Sequence, residues 1–546
     1  MSFQRLPGDV LLHVARNVDD RALANMAKTW NPMLSIVQSG QATREEVKLY
    51  LGESNLKESP RGRVLRSQNH RQFLDMLKQF SLGWSQLQWS TFGVHELLDG
   101  RSRMQWADGT EPMQPSFMGE SGGCLYFVHN IPSSRHDGHY GGSQVTVFKP
   151  ACQRTREAGF HKQHSIPYPV CAVAIDSTLG ILALLTKPSS WGTITAYLLD
   201  MSNANMIASF QTNSDLNWYD DVKIVQFDII GDMLGFALEY PLVPGAYLYL
   251  AKWQRSRETQ IIYPFRVYEN VEKPQHQWAI HNFVDSQFDQ STYPQYRPLH
   301  NVAYSGYQFV QSGVVLLIEQ SERKGLWGTR LRRTTIPMNN TSSLLFKHPL
   351  LGLARHRGWE VTRVTFIPCV GPIEDANTAR HAPFYFDPAE RLVGVRYEYD
   401  LPHGTKSRSV ELFDLNAIMR HEKESKDIPG RIEVPMDVNC EGFVLMGRRL
   451  LWVEHSATGE IIHMINFSHS ALPRPQGHQV NPNDSTWITV TETRNIPGFG
   501  RAMETRMLSG RRGALRTVIT HDSLMFLMKN AHDSHNRTLC AWVYEF

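Results

Sequence analysis

The pentapeptide "GESGG", residues 119–123, satisfies G-x-S-x-G, the spacing that presents a nucleophilic serine in acyl-transfer enzymes. Such an elbow needs a strand before the serine and a helix after it, so that the hydroxyl stands free beside an oxyanion hole. Here "PMQPSFM" precedes Ser121 and the strand-like "CLYFVHN" follows. The expectation is a glycine-rich turn entering a strand, with no catalytic role for Ser121. A second cluster brings His136, Asp137 and His139 together in "SSRHDGHYGGS". Metal ligation needs further ligands, fixed geometry and an outer shell of hydrogen bonds, so a polar surface loop is expected there. The carboxylate pairs Asp220-Asp221 and Glu45-Glu46 lie in turn-like and helical polar contexts and read as caps or solvated charge. No Walker-type phosphate loop, HExxH motif or Rossmann fingerprint occurs. These residues predict a chain with no catalytic residue, cofactor or metal, whose work is binding.

The elements that would carry such work are mainly β. Thirteen Trp, 25 Phe and 19 Tyr beside 38 Gly and 29 Pro favour strands and tight turns. Lys and Arg number 56 against 53 Asp and Glu, a net charge of +3 that makes no case for a nucleic-acid or membrane partner. The cysteines, Cys124, Cys152, Cys171, Cys369, Cys440 and Cys540, contain no CxxC, and four sit inside apolar strand-like runs. They read as buried free thiols in a reducing compartment, the cytoplasm or the nucleus. The start lacks the apolar core of a signal peptide, and no run approaches the ~18 apolar residues of a membrane span.

A unit recurs from Trp84 onward. "VAIDSTLGILALL", "VQFDIIGDMLGFAL" and "FYFDPAERLVGVRY" each show an apolar strand ending at Asp176, Asp228 or Asp387, a turn, and a second apolar strand. The new strand opens five residues past the Asp, at Ile181, Met233 and Leu392. An Asp leaving a strand can accept from backbone N–H groups downstream and start the turn. Each pair of strands precedes a third, and looser copies extend the series. Four hundred and sixty residues of such units predict a propeller-type array, because no single sheet can bury both faces alone. Seven blades are expected, with six and eight as alternatives and paired β-sandwiches as the competing fold. "WSQLQWSTFGVHELL" is the candidate segment for pairing with the final strand and closing the ring. The repeats resemble a divergent WD-type propeller. The basic run "GTRLRRTT", with Arg330, Arg332 and Arg333, reads as a polar strand edge.

The first forty residues differ in kind. After Leu6-Pro7, Gly8 and Asp9 offer a turn and an N-cap, and Val10, Leu11, Val14 and Val18 line one helical face. Asp19-Asp20 breaks and caps, Leu23, Met26, Ala27 and Trp30 line a second helix, and Asn31-Pro32 opens a third. Three short helices make a core too small to stand alone; they call for a partner protein, with a helical cap docked on the main domain of the same chain as the alternative.

This stretch resembles the F-box: an opening Leu6-Pro7, Asp9, the aliphatics Val10-Leu11-Leu12 and Val14, an acidic break, Leu23, the apolar pair Met26-Ala27, Lys28 and Trp30. Val14 and Val18 stand where bulkier aliphatics are common. The resemblance implies docking onto the Skp-type adaptor of a cullin–RING ubiquitin ligase. Leu6, Pro7, Val10, Leu11, Val14, Leu23, Met26 and Trp30 would then lie at or directly behind that contact. The expected organisation is an F-box-like helical domain over 1–40, a helical linker over 41–83 and a β-propeller-like domain over 84–546. The function implied is substrate recognition for a ligase whose other subunits transfer ubiquitin. A propeller scaffold without a ligase role is the alternative, and a propeller enzyme a more distant one.

Overall fold

A computed structural model describes most of the chain between Leu56 and Glu545. Outside the described residues lie most of 1–55 and the longer segments 86–90, 99–116, 133–139, 152–158, 187–193, 213–221, 240–245, 271–277, 282–295, 336–341, 350–359, 371–382, 401–405, 421–431, 469–487 and 496–516, with shorter gaps between. Of the F-box-like positions, Val10 and Met26 are described: both are helical, and Val10 is exposed. Leu6, Pro7, Leu11, Val14, Leu23 and Trp30 lie outside the described residues, as do His136, Asp137, His139 and Asp220-Asp221.

The protein is mainly β, and among the described residues its strands group into successive antiparallel meanders. The first comprises Phe117–Ser121, Cys124–Pro132, Tyr140–Lys149 and Phe160–Ile166. The second comprises Val170–Asp176, Ile181–Thr186, Thr195–Asp200 and Met206–Thr212. A third (Lys223–Ile230, Met233–Glu239, Ala246–Lys252) shares one bridge, Ala246 to Tyr304, with a fourth (Val302–Gln311, Val314–Arg323, Leu326–Thr335, Ser342–Pro349). The fifth is Glu360–Phe366, Leu392–Asp400, Lys406–Asp414 and Ile432–Met436. The sixth is Cys440–Met446, Arg449–Ser456, Gly459–Ser468 and Ile488–Asn495. The last holds Thr517–Ile519, Ser523–Asp533 and Asn536–Glu545, and its fourth strand is Thr91–Leu98, from four hundred residues earlier. That strand belongs to the segment expected to close the array.

Each meander touches the next. Ile175 N donates to Ser121 Oγ at 2.8 Å, joining first and second, and Leu392 N donates to Gly447 O at 3.0 Å, joining fifth and sixth. Thr517–Ile519 lies against Cys440–Met446, and His95 of the closing strand lies 5.6 Å from the Phe148 ring of the first meander. Apolar side chains fill the layers between neighbours, with Ala183, Leu185, Ile229, Leu234 and Phe236 forming the core of second against third. Every residue of Ile181–Thr186 is buried, as its unbroken apolar run requires of a strand covered on both faces.

Three expectations need correction. The Asp228 strand does not end at Asp228; it runs on to Ile230, and the turn is Gly231-Asp232, whose glycine takes the left-handed conformation (φ 60°). Phe384–Phe386 does not form a hairpin with the strand after Asp387. It pairs antiparallel with Leu56–Glu58, and Leu392–Asp400 pairs instead with Glu360–Phe366. Asp387 caps a short 3-10 turn, Pro388–Glu390, that carries the chain from one sheet to the other. The Arg330–Arg333 run is no edge, because Leu326–Thr335 is paired on both sides. Arg333 is buried there because its Nη1 donates to Ile418 O at 2.6 Å and to Met419 O, carbonyls near the end of helix Leu415–Arg420.

The polar stretch "KESPRGRVLRSQNHR" folds into helix α1 (Pro60–Gln68), with Ser59 as N-cap and Pro60 at its first position. Helix α2 (His70–Ser85) buries Phe73, Leu74, Leu77, Phe80 and Trp84, a stripe at helical spacing. That stripe packs on Phe384 and Phe386 and on Met446, Leu451 and Met464 of the sixth meander, so the two helices share a core with the sheets.

Candidate functional site

The first strands of the second, third, fourth and fifth meanders line a cavity of about 740 Å³, together with the hairpin tips beside them. Strand alternation sends every second side chain of these strands toward it, which places polar groups from separate meanders in one space.

Gln226 sits where the register of Lys223–Ile230 against Met233–Glu239 shifts, and its amide bonds to the backbone of the next meander. Its Nε2 donates to Tyr307 O at 2.7 Å and to Asp228 Oδ2 at 2.6 Å, while its Oε1 accepts from Tyr307 N at 3.1 Å. Burial pushes the Asp228 carboxyl up, against the pull of the Gln226 amide. Tyr307 is pushed well above the ordinary phenol range, first by burial and then by the Asp228 charge.

Across the cavity wall, Gln308, Cys369 and Arg391 form a second group. Gln308 Nε2 donates to Ile367 O at 3.2 Å and to Cys369 Sγ at 3.1 Å. Burial pushes the Cys369 thiol up, outweighing the Arg391 charge, so the sulfur is a thiol at neutral pH. Arg391 is 6% exposed; its Nη2 donates to Val310 O and, at 3.4 Å, to Phe309 O. Burial lowers the guanidinium's pKa, with only Cys369 acting the other way. Among the described residues, Arg391 has no carboxylate partner, and its Nε and Gln308 Oε1 are buried without a hydrogen-bond partner. Arg448 is the contrast: equally buried, it is held by Glu390 at 2.6 Å and Asp414 at 3.1 Å.

Ser121 lies at the end of a strand and is followed by a two-residue turn, Gly122-Gly123, and another strand. Its hydroxyl is engaged by Ile175 N, and no helix follows, so the elbow geometry is absent. Both glycines have positive φ (56° and 74°), as the tightest hairpins require. Glu46 pairs with Lys78 at 2.5 Å, on the helical surface. Among the described residues no three His, Cys, Asp or Glu side chains cluster as metal ligands would. Sequence reasoning missed Arg391, Gln308 and Cys369. The one local signal is a charged residue, Arg391, directly before the buried run "LVGV".

No family model matches the chain, and no curated protein matches it. Among solved structures it is similar to the β-propeller domain of the trilobed protease from Pyrococcus furiosus, which has an open velcro topology. There the identity is 7%, with 79% of this chain and 96% of that one covered and a TM-score of 0.36. It is also similar to the Nup133 β-propeller domain of Vanderwaltozyma polyspora, at 9% identity, covering 79% and 100%, with a TM-score of 0.31. The chain is a mainly β protein of successive antiparallel meanders, closed between its last strands and Thr91–Leu98.

Proposed function

We propose that the protein is a substrate-recognition subunit of a Skp–cullin–F-box type ubiquitin ligase. Its N-terminal helices dock the Skp-type adaptor, and the meanders, read as the seven blades of a β-propeller, hold a target protein. The observation that carries this reading is the F-box pattern from Leu6-Pro7 to Trp30, set ahead of helices that share a core with the sheets. A receptor of this kind works by positioning, and the helices that follow the adaptor-binding segment in the chain are fixed to the ring by the core they share with it. Its own chemistry needs no nucleophile or cofactor, in keeping with the engaged hydroxyl of Ser121. It acts in the cytoplasm, the nucleus or both.

Co-purification of the full chain with a Skp-type adaptor tests the reading. Leu6→Ala with Pro7→Ala is expected to abolish capture while leaving the β-sheet circular dichroism unchanged. A folded wild-type chain that captures no adaptor overturns the ligase role and leaves a propeller scaffold.

A further inference from the structure

We infer that the cavity holds a cation subsite at Asp228, and that its ligand is a primary alkylammonium, the group borne by a lysine side chain or a free alkylamine. Asp228 lines the cavity and keeps part of its surface open. Its Oδ2 accepts from Gln226 Nε2 at 2.6 Å. The same amide bonds Tyr307 N and O, so the carboxyl is held against the backbone of the next meander. Oδ1 accepts no hydrogen bond among the described residues, yet it is not shut off from solvent as the Tyr307 hydroxyl is. Asp176, on the same cavity, spends its carboxylate on four hydrogen bonds. Lys149, Arg363 and Arg391 line other parts of the wall, and among the described residues no cation pairs with Asp228. A carboxylate drawn out of water with one neutral partner is costly, and a cation arriving at Oδ1 offsets that cost.

The surroundings narrow the ligand. A guanidinium makes two parallel hydrogen bonds to both oxygens of a carboxylate, and here Oδ2 is already taken by Gln226. An ammonium is a compact charge with rotatable donors and is served by Oδ1 alone. Ile230 lies two residues beyond Asp228 on the same strand face, and Phe366 stands across Gly306 from Gln226. Both line the cavity and offer apolar wall to the methylenes of an alkyl stem. The inference deepens the reading of the ring as the target-binding half of a receptor and rests on it for its biological sense. Binding is measured without adaptor, so failure here and failure of adaptor docking are read separately.

The test uses the full chain and a pentapeptide with one central lysine, blocked at its N-terminus and fluorescently labelled at its C-terminus. The same peptide with acetyl-lysine, norleucine or arginine at the centre completes the series, and n-pentylamine is the free-amine arm. The lysine peptide is expected to bind at least about tenfold more tightly than the acetyl-lysine and norleucine peptides, with arginine behind lysine. Asp228→Asn keeps an acceptor for Gln226 and should bring the lysine peptide down to the level of acetyl-lysine. The peptide series is read on the wild-type chain, so it decides the question even if the variant does not fold. Pentylamine weaker than the peptide supports the subsite with its ammonium on a polypeptide; pentylamine as strong supports it with a free amine. Equal binding of lysine and acetyl-lysine peptides overturns the subsite, as does lysine affinity unchanged in a folded Asp228→Asn chain or no binding of peptide and amine alike. Arginine binding as tightly as lysine overturns the assignment to an ammonium.

Discussion

Asp176 Oδ2 accepts a 2.7 Å hydrogen bond from Gly231 N, 55 residues further along the chain. The other oxygen of the same carboxylate accepts from Thr178 N and Leu179 N, each at 3.0 Å, and from Thr178 Oγ1. One side chain therefore shapes its own turn and fastens that turn to the hairpin tip of the next meander. A local device of sequence becomes a joint of the tertiary structure.

Replacing Asp176 tests the joint. Asp176→Ala removes a buried acceptor of four hydrogen bonds and is expected to lower unfolding stability by about 2–4 kcal/mol. Asp176→Asn keeps one carbonyl oxygen for the turn but sets an amide N–H where Gly231 N needs an acceptor, so its loss should be intermediate. Urea denaturation of the three chains gives the order.

Asp228 gives a pH signature of opposite sense to that of a salt-bridged acid. Burial raises its carboxyl above the ordinary 3.8, so the folded state holds the proton more firmly than the unfolded state. At pH below 3.8 both states carry it and no penalty exists. As pH rises to and through the folded-state value, the penalty on the buried carboxylate grows to its full size. Asp228→Asn, which keeps an acceptor for Gln226, should therefore leave acid stability unchanged and gain on wild type toward neutral pH. Urea midpoints from about pH 4 to 7 show whether the gain grows in that direction.

The Arg448 cluster should respond more strongly than any surface ion pair. Its side chain is 2% exposed and bridges Glu390 and Asp414. Arg448→Met leaves the half-buried Glu390 and the more buried Asp414 facing each other, at an expected cost of about 3–5 kcal/mol. Adding Asp414→Asn removes one stranded charge and should recover part of that loss, seen as non-additivity in a double-mutant cycle.

Phe80 reports on the helices against the sheets. Its ring centroid lies 4.8 Å from that of Phe384 and 6.0 Å from that of Phe386. Phe80→Ala is expected to cost about 3–5 kcal/mol and to loosen α1 and α2 before the meanders. Limited proteolysis should then cut ahead of the closing strand Thr91–Leu98 while the wild-type chain resists.

Much of the fold was legible where it depends on neighbours in the chain. Alternating and fully apolar runs marked the hairpins, Gly122-Gly123 marked a turn, and the segment Trp84 to Leu98 contained the strand that meets the last one. The three Asp-bearing units show the limit. They look alike in their strand–Asp–turn–strand pattern, yet Asp176 fastens two meanders, Asp228 lines the cavity and Asp387 caps a turn between sheets. Which role each takes depends on Gly231 supplying a left-handed turn three residues after Asp228, or on Leu56–Glu58 arriving to pair with Phe384–Phe386. The Arg run misread as an edge belongs with these, because only the packing of Leu415–Arg420 brings carbonyls to Arg333.

The strand content and the serial turns follow from the sequence itself, because turn residues and apolar period act over a few residues. The cavity does not. Gln226, Gln308, Cys369 and Arg391 share it although more than 160 positions separate the first from the last, and no spacing rule links them. They meet because apolar faces must be covered by neighbouring meanders, and stacking those meanders turns their first strands inward together. The sequence determined the repeating units; the tertiary structure alone decided that a buried guanidinium without a carboxylate partner would stand among the residues of the shared cavity.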